Sequence, residues 1–436
     1  MSYSSFLKII FYLPTVILVS LYYFPMGVGV GSLSTKTLLA VVGLFILIFN
    51  LPKIGDASIS RDLIKLSITA CAVSFICFFS VTIHHTQDFT YATYIISMWV
   101  WLAAAYTVIY TIKYIYGRID VVILCDLLMV ACIIQCASAI MIDQIPAVHD
   151  FASRFQDTEW IESVDRLYGI STALDTAGIH FAVVLFMITY ILANKSKNFT
   201  AAKIIFYWIS FIIITVIGNM MARTTIVGTG LGLLYILWKS GGQILRDSNQ
   251  RRIIKHLAFS VLILLPIVIF YYRTNTRIYD NIRFGFEGFF SLVEKGEWDV
   301  ASNNTLKRMI VFPESLETWM IGDGYLENPK SDPYYIGPIT EGYYMNTDIG
   351  YARFIFYFGT LGLIAFSAFI IQAGIICASL LPKYRAMCIG LILLNFIIWL
   401  KVSTDIFFIF ALLYNLSLLK SPNDNSAEAA PGLIAQ

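Results

Sequence analysis

Long uninterrupted apolar runs alternate with short polar stretches along most of this chain. A hydrocarbon layer roughly 30 Å thick takes about 20 helical residues to cross. On that measure the pattern predicts an all-α polytopic membrane protein of about twelve spans. The first nine fall near 7–24, 36–51, 66–83, 90–111, 120–142, 171–193, 204–218, 224–239 and 257–272. Three more follow near 351–380, 386–400 and 403–419. The rhythm breaks at a long polar segment from Arg273 to Thr347, and a second, shorter break covers 143–170.

With the N-terminus placed inside, the basic loops all face the cytoplasm, as the positive-inside rule requires. These carry Lys53/Arg61/Lys65, Lys113/Arg118, Lys195/Lys197/Lys203, Arg246/Arg251/Arg252/Lys255 and Lys383/Arg385. Both polar breaks then lie outside, the shorter one being acidic with Asp143, Asp150, Asp157, Glu159, Glu162 and Asp165. The chain divides on this reading into spans one to nine (1–272), a large outer loop (273–349), spans ten to twelve (350–419) and a disordered tail (420–436).

Inside the large loop, Ile278, Ile282, Phe286, Phe289, Phe290 and Val293 recur at helical spacing opposite Asp280, Arg283, Glu287 and Glu294. That period predicts one amphipathic helix lying flat on the outer membrane surface. Asn304 reads as the cap of a second helix through Lys307, Arg308 and Val311, and 322–344 reads as irregular. No internal repeat or inverted pair of broken helices is visible, which counts against a secondary transporter.

Composition narrows the class. The 436 residues are 58% hydrophobic and 13% charged with a net charge of +2, and the mean hydropathy is +0.74, values outside the range of soluble domains. Basic residues are scattered through loops and form no nucleic-acid stripe, which counts against nucleic acid as a partner. All seven cysteines sit in apolar runs and read as small core residues, neither disulfides nor metal ligands. Lys8 followed by an apolar run to Phe24, with no small-residue cleavage site, fits an uncleaved first helix. None of the five histidines lies in or after the long loop, so no histidine there can serve as a base.

Charged residues at a membrane edge are costly when unpaired and mark either pairing or function. Four clusters share the outer side: Arg166 with Asp175, Arg223, Arg308 with Gly322-Asp323-Gly324, and Asp348 with Arg353. Arginine stays charged and grips phosphate oxygens with a planar fork. A set of arginines therefore suits a lipid pyrophosphate and can stand where other transferases place a metal ion, and Arg277 in the long loop joins the expected contacts. A carboxylate at a helix lip, Asp348, supplies a base for an acceptor hydroxyl. Each has a plainer reading: Arg223 at the headgroup level, Arg308 on a solvated helix face, Asp348 as a helix cap, and Arg166 with Asp175 as a structural pair. Lys401 and Asp405, at i and i+4, read as mutually neutralising, and Asp126 as a helix-to-helix hydrogen bond. Tyr325, Tyr334, Tyr335, Tyr343 and Tyr344 read either as sugar-stacking platforms or as an interfacial belt.

The layout resembles the O-antigen polymerase (Wzy-type) family, within the superfamily it shares with O-antigen ligases. The likeness rests on Arg166-Leu-Tyr-Gly-Ile-Ser-Thr-Ala-Leu-Asp175 before a span, Ala222-Arg223-Thr224 opening another, and Arg308 through Gly322-Asp-Gly324. Asp348-Ile-Gly-Tyr351 followed by Phe358-Gly-Thr-Leu-Gly362 completes it. The resemblance implies a GT-C-like glycosyltransferase without metal or cofactor, in the bacterial inner membrane and facing the periplasm. It would join undecaprenyl-pyrophosphate-linked repeat units into a polysaccharide, with membrane lipid around it and a chain-length regulator as partner. Arg166, Arg223 and Arg308 would hold the donor pyrophosphate, Asp348 would orient or deprotonate the acceptor hydroxyl, and Asp175, Asp323, Tyr351, Arg353 and Arg277 would line the substrate. Ligases of the superfamily carry a histidine near the end of the large loop where this chain has Asp348, which favours polymerase over ligase. A ligase acting on lipid A core and a flippase for lipid-linked sugars are the alternative functions.

Overall fold

The computed structural model describes residues 10–28, 33–50, 57–154, 166–172, 174–241, 248–333, 335, 337 and 342–419. Asp157, Glu159, Glu162, Asp165, Tyr334 and the 420–436 tail, all singled out above, lie outside the described residues. The described chain is predominantly helical, with two isolated β-bridges as its only strand-like pairings. Among the described residues, seven helices are long and apolar enough to cross a membrane: Arg61–Ile83, Tyr94–Tyr116, Val121–Gln144, Leu174–Asn198, Ala201–Met221, Ser248–Thr274 and Gly350–Leu380. Each of the other expected spans overlaps a shorter helix, such as Tyr12–Tyr23 or Phe407–Leu419. This is an all-α architecture of the polytopic membrane class.

Two helices of nearly equal apolarity show why a membrane is required. Leu174–Lys195 is apolar on every face, and 94% of its most apolar window is buried by neighbouring helices. Ser248–Thr274 is as apolar in its best window, yet only 11% of that window is buried, with Leu262 and Phe270 turned outward. An outward surface of that kind is stable only in an apolar solvent.

The chain forms two compact units. One takes Met1–Leu44, Ala104–Phe290 and Asn415–Gln436, and the other takes Phe45–Ala103 and Ser291–Tyr414. The long polar segment is therefore shared between them, dividing after Phe290.

In the first unit, Thr225–Ser240 packs on Leu174–Lys195 at backbone distance. A Cβ on Gly228 would stand 2.2 Å from the Ala182 carbonyl oxygen, and one on Gly232 would stand 2.4 Å from Thr189 Oγ1. Gly230, on the same helix, meets nothing within 4 Å. Small residues at i and i+4 thus make the seam. Asp126 on Val121–Gln144 makes the expected interhelical link: Lys203 Nζ lies 2.9 Å away and the Tyr207 hydroxyl donates to the same carboxylate.

In the second unit, Gly350–Leu380 is broken at Phe358 and Gly359, whose φ/ψ of 69°/−176° is a conformation reserved for glycine. A break in a helix orphans the carbonyls of the preceding turn. Here the amide of Asp323 donates to Phe356 O at 2.5 Å, and that of Gly324 donates to Tyr357 O at 3.1 Å. Gly322, at φ 75°, allows the approach, since a Cβ there would lie 2.5 Å from the Tyr357 carbonyl carbon. Below the break, Tyr91, Phe354, Phe366 and Trp399 pack edge to face with centroids 5.0 to 5.8 Å apart.

Two local expectations are corrected, and a third pair proves to lie outside a helix. The 278–293 stretch is two helices, Thr276–Gly285 and Glu287–Lys295, parted at Phe286, and Ile282 is buried, so the first does not lie on the membrane surface through that face. The helix around Arg308 runs Ala301–Arg308 with Val300 at its cap, while Asn304 sits inside it and donates to Asp299. Lys401 and Asp405 have no helix to give them i, i+4 geometry, because 399–406 is a connection. Asp405 accepts from the Phe407 amide at 2.7 Å and the Tyr94 hydroxyl at 3.0 Å.

Candidate functional site

The first unit gathers Arg166, Arg223 and Arg277 around the short helix Thr276–Gly285. Asn275 caps that helix, its side chain accepting from the Ile278 amide at 3.0 Å. Phe284 near its end meets two guanidinium groups, that of Arg223 at 4.0 Å from the ring centroid and that of Arg166 at 4.7 Å. Arg223 also donates through Nε to Phe284 O at 3.1 Å and pairs with Glu287 at 2.6 Å. It stands in the turn between Ala201–Met221 and Thr225–Ser240. Burial there lowers its pKa, the Glu287 carboxylate opposes that, and the like charge of Arg166 adds to the lowering. Asp175, in the first turn of Leu174–Lys195, lies 3.5 Å from the Thr224 hydroxyl beside Arg223.

One face of Thr276–Gly285 presents Arg277, Asp280, Asn281 and Phe284, spaced i, i+3, i+4 and i+7. These four, with Asp143, His149, Arg166, Leu167 and Tyr168 from the first outer segment, line a cavity of about 480 Å³. Arg277 Nη1 holds both the side chain and the carbonyl of Asp143 at 3.0 Å, and Asn275 donates to Gln144 at 3.1 Å. The two segments assigned to one side of the membrane therefore meet.

The opposite face of the same helix, Ile278 and Ile282, closes a second cavity of about 630 Å³. Its wall is almost wholly apolar, built from Ile133, Ile212, Val216, Leu264 and Val268 among others on three membrane-class helices. Asp143, Leu167 and Asn281 line both cavities. A polar chamber and an apolar groove thus share a wall, an arrangement suited to a molecule with a polar head and a long apolar tail.

In the second unit the expected residues are mostly engaged in holding the fold. Gly322, Asp323 and Gly324 spend their amides on Thr318, Phe356 and Tyr357, so this motif offers no free amides for a phosphate. The Asp323 carboxylate accepts from Thr318 at 2.6 Å and Tyr344 at 3.1 Å. Arg353 is buried, donating to Leu326 O at 3.1 Å and Glu327 at 2.8 Å beneath the Tyr343 ring at 3.5 Å. Tyr351 gives its hydroxyl to Phe396 O at 2.9 Å and its ring edge to Trp399. Arg308 is exposed in the last turn of Ala301–Arg308.

Asp348 is half-buried one residue before Ile349, which holds the cap position of Gly350–Leu380. Beside it the Thr347 hydroxyl accepts from the Ile349 amide at 3.3 Å. Tyr325, Tyr335 and Tyr344 pack on one another with centroids 5.3 to 6.4 Å apart. The Tyr325 hydroxyl donates to Asp332 at 2.7 Å. Burial first, and then the neighbouring carboxylates Asp332 and Asp323, push the Tyr325 and Tyr344 phenols above the usual range.

Arg353→Ala is expected to act on stability. It removes a buried donor pair and leaves the Leu326 carbonyl unmatched, costing about 1–3 kcal/mol. A thermal unfolding midpoint equal to wild type in detergent would show that the clamp is idle.

Sequence reading missed Phe284, Glu287, Asp280, Asn281 and His149 as parts of a site. The signal was present for three of them: the i, i+3, i+4, i+7 polar face of Thr276–Gly285 lies opposite the apolar positions that drew attention. No family model matches the chain, and no curated protein matches it at a significant level.

Proposed function

We propose that this protein is a polysaccharide polymerase of the O-antigen type, a membrane glycosyltransferase that moves a growing glycan from undecaprenyl pyrophosphate onto a lipid-linked repeat unit. The observation that carries it is the polar chamber beside Arg166 and Arg223, separated by the shared wall of Asp143, Leu167 and Asn281 from an apolar groove between membrane-class helices. A lipid-linked anionic glycan has that polarity from end to end. The motif resemblance supplies the reaction and the roles.

The acceptor hydroxyl attacks the anomeric carbon of the donor, the bond from that carbon to the pyrophosphate oxygen breaks, and the electron pair leaves with the pyrophosphate. Arg166 and Arg223 stabilise the charge that builds there, and the Phe284 ring and Glu287 fix the Arg223 fork. Arg308 remains a third candidate for the pyrophosphate. Asp348 takes the hydroxyl proton, and attack opposite the leaving group inverts the anomeric centre. About twelve spans, a GT-C-like arrangement, an inner-membrane location with the site facing the periplasm, and a chain-length regulator as partner belong to the same proposal.

The test is a lipopolysaccharide gel from the source bacterium lacking this gene, complemented with wild type, Arg166→Ala, Arg223→Ala or Asp348→Asn. Core bearing one repeat and no ladder is the expected phenotype. The variants should insert normally and restore about a hundredfold less polymer than wild type. Bare core with lipid-linked polymer accumulating would assign ligation instead, and an unchanged gel would remove the O-antigen assignment.

A further inference from the structure

Resting on that reading, we infer that the polar cavity on the Thr276–Gly285 helix is a glycan subsite, which reads the hydroxyl groups of the sugar next to the lipid pyrophosphate. Charge balance is the first ground. The lining holds two guanidinium groups, Arg166 and Arg277, against two carboxylates, Asp143 and Asp280, and its one imidazole, His149, faces a further carboxylate, Asp150, at 3.6 Å. Asp143 already pairs with Arg277 at 3.0 Å. A pyrophosphate carries several negative charges and gains little from a chamber without surplus positive charge, beside carboxylates that repel it.

Sugar hydroxyls ask for something different. Each is at once donor and acceptor, so a ring of hydroxyls is matched by carboxylates, amides and guanidinium groups set side by side. Asp280 and Asn281 offer that mixture on adjacent positions of one helix face, with Arg166 across the cavity. A volume of about 480 Å³ is the space of roughly sixteen waters at about 30 Å³ each. That accommodates one sugar ring and part of a second.

Position is the second ground. Asn281 and Asp143 stand in the wall shared with the apolar groove, and Arg166 links the cavity through Phe284 to Arg223. A chain lying in the groove with its pyrophosphate near Phe284 delivers its first sugar to this chamber. Arg277, expected from sequence to touch substrate, then acts chiefly by holding Asp143 in place.

Binding of two probes to the full-length protein in nanodiscs separates the possibilities. One probe is undecaprenyl pyrophosphate; the other is the lipid-linked oligosaccharide extracted from the deletion strain. Asp280→Ala and Asp280→Leu change a position that lines the chamber and not the groove, and size-exclusion profiles check that both variants stay folded. Each should weaken the sugar-bearing probe about tenfold or more and leave the sugarless probe unchanged. Equal losses for both probes would make the cavity a pyrophosphate site, and no loss for either would show that sugars bind elsewhere. If wild type binds neither probe, the lipid-linked substrate itself is refuted and the subsite falls with it.

Discussion

Gly359→Ala is expected to remove most of the folded protein. Two costs coincide at this residue. Its φ/ψ of 69°/−176° strains any residue with a side chain, by about 1–3 kcal/mol. An added Cβ would also stand 2.1 Å from the Met320 carbonyl oxygen and 2.3 Å from its carbonyl carbon. Those are backbone atoms fixed by the Leu316–Ile321 helix, so relief requires the helix and the broken span to separate, with a further overpacking cost of about 1–3 kcal/mol. The sum is a large share of a stability of order 5–15 kcal/mol. Fluorescence-detected size exclusion after detergent extraction should show little monodisperse protein, and Gly322→Ala should resemble it. A Gly359→Ala protein with wild-type yield and melting midpoint would mean that the break is not where it is described.

Gly228→Ala should come close in severity, with a built-in control two residues away. The new methyl would meet the Ala182 carbonyl oxygen at 2.2 Å and its Cα at 2.3 Å, so Thr225–Ser240 must withdraw from Leu174–Lys195. Association of membrane helices depends on close packing, because lipid tails are as apolar as the side chains they would replace. A loss of roughly 3 kcal/mol is expected, at the upper end of overpacking costs. Gly230→Ala meets open space and should be neutral or up to about 1 kcal/mol more stable, since alanine is the better helix former. Thermal unfolding of the two variants side by side decides it. Equal midpoints would contradict the seam.

These contrasts show what a sequence conveys here and what it withholds. The seven membrane-length helices were legible because crossing a hydrocarbon layer imposes a length and an apolarity that leave their mark residue by residue. Asp126 was legible as an interhelical contact for a related reason, since a carboxylate among apolar neighbours needs a partner. The Gly322-Asp-Gly324 motif stood out beside Arg308, but its backbone role was not legible: the Asp323 and Gly324 amides serve carbonyls released by a helix break that no local pattern announces.

Arg353 stood out by charge and proved to be a clamp, since sequence gives no measure of the depth at which a side chain sits. The second face of Thr276–Gly285 was readable but hidden by its apolar counterpart. Which helices flank the groove that Ile278 and Ile282 close depends on long-range packing, and adjacent positions say nothing about it.

The amides of Asp323 and Gly324 set the mobility of the large polar segment. Lifting its root from the broken span would strand the carbonyls of Phe356 and Tyr357, at about 1–3 kcal/mol for each if water cannot replace the donors. Any opening of that segment must therefore bend elsewhere, leaving this root in place as a fixed pivot. In hydrogen exchange those two loop amides should be as slow as a helix interior, marking where motion stops and the stationary frame begins.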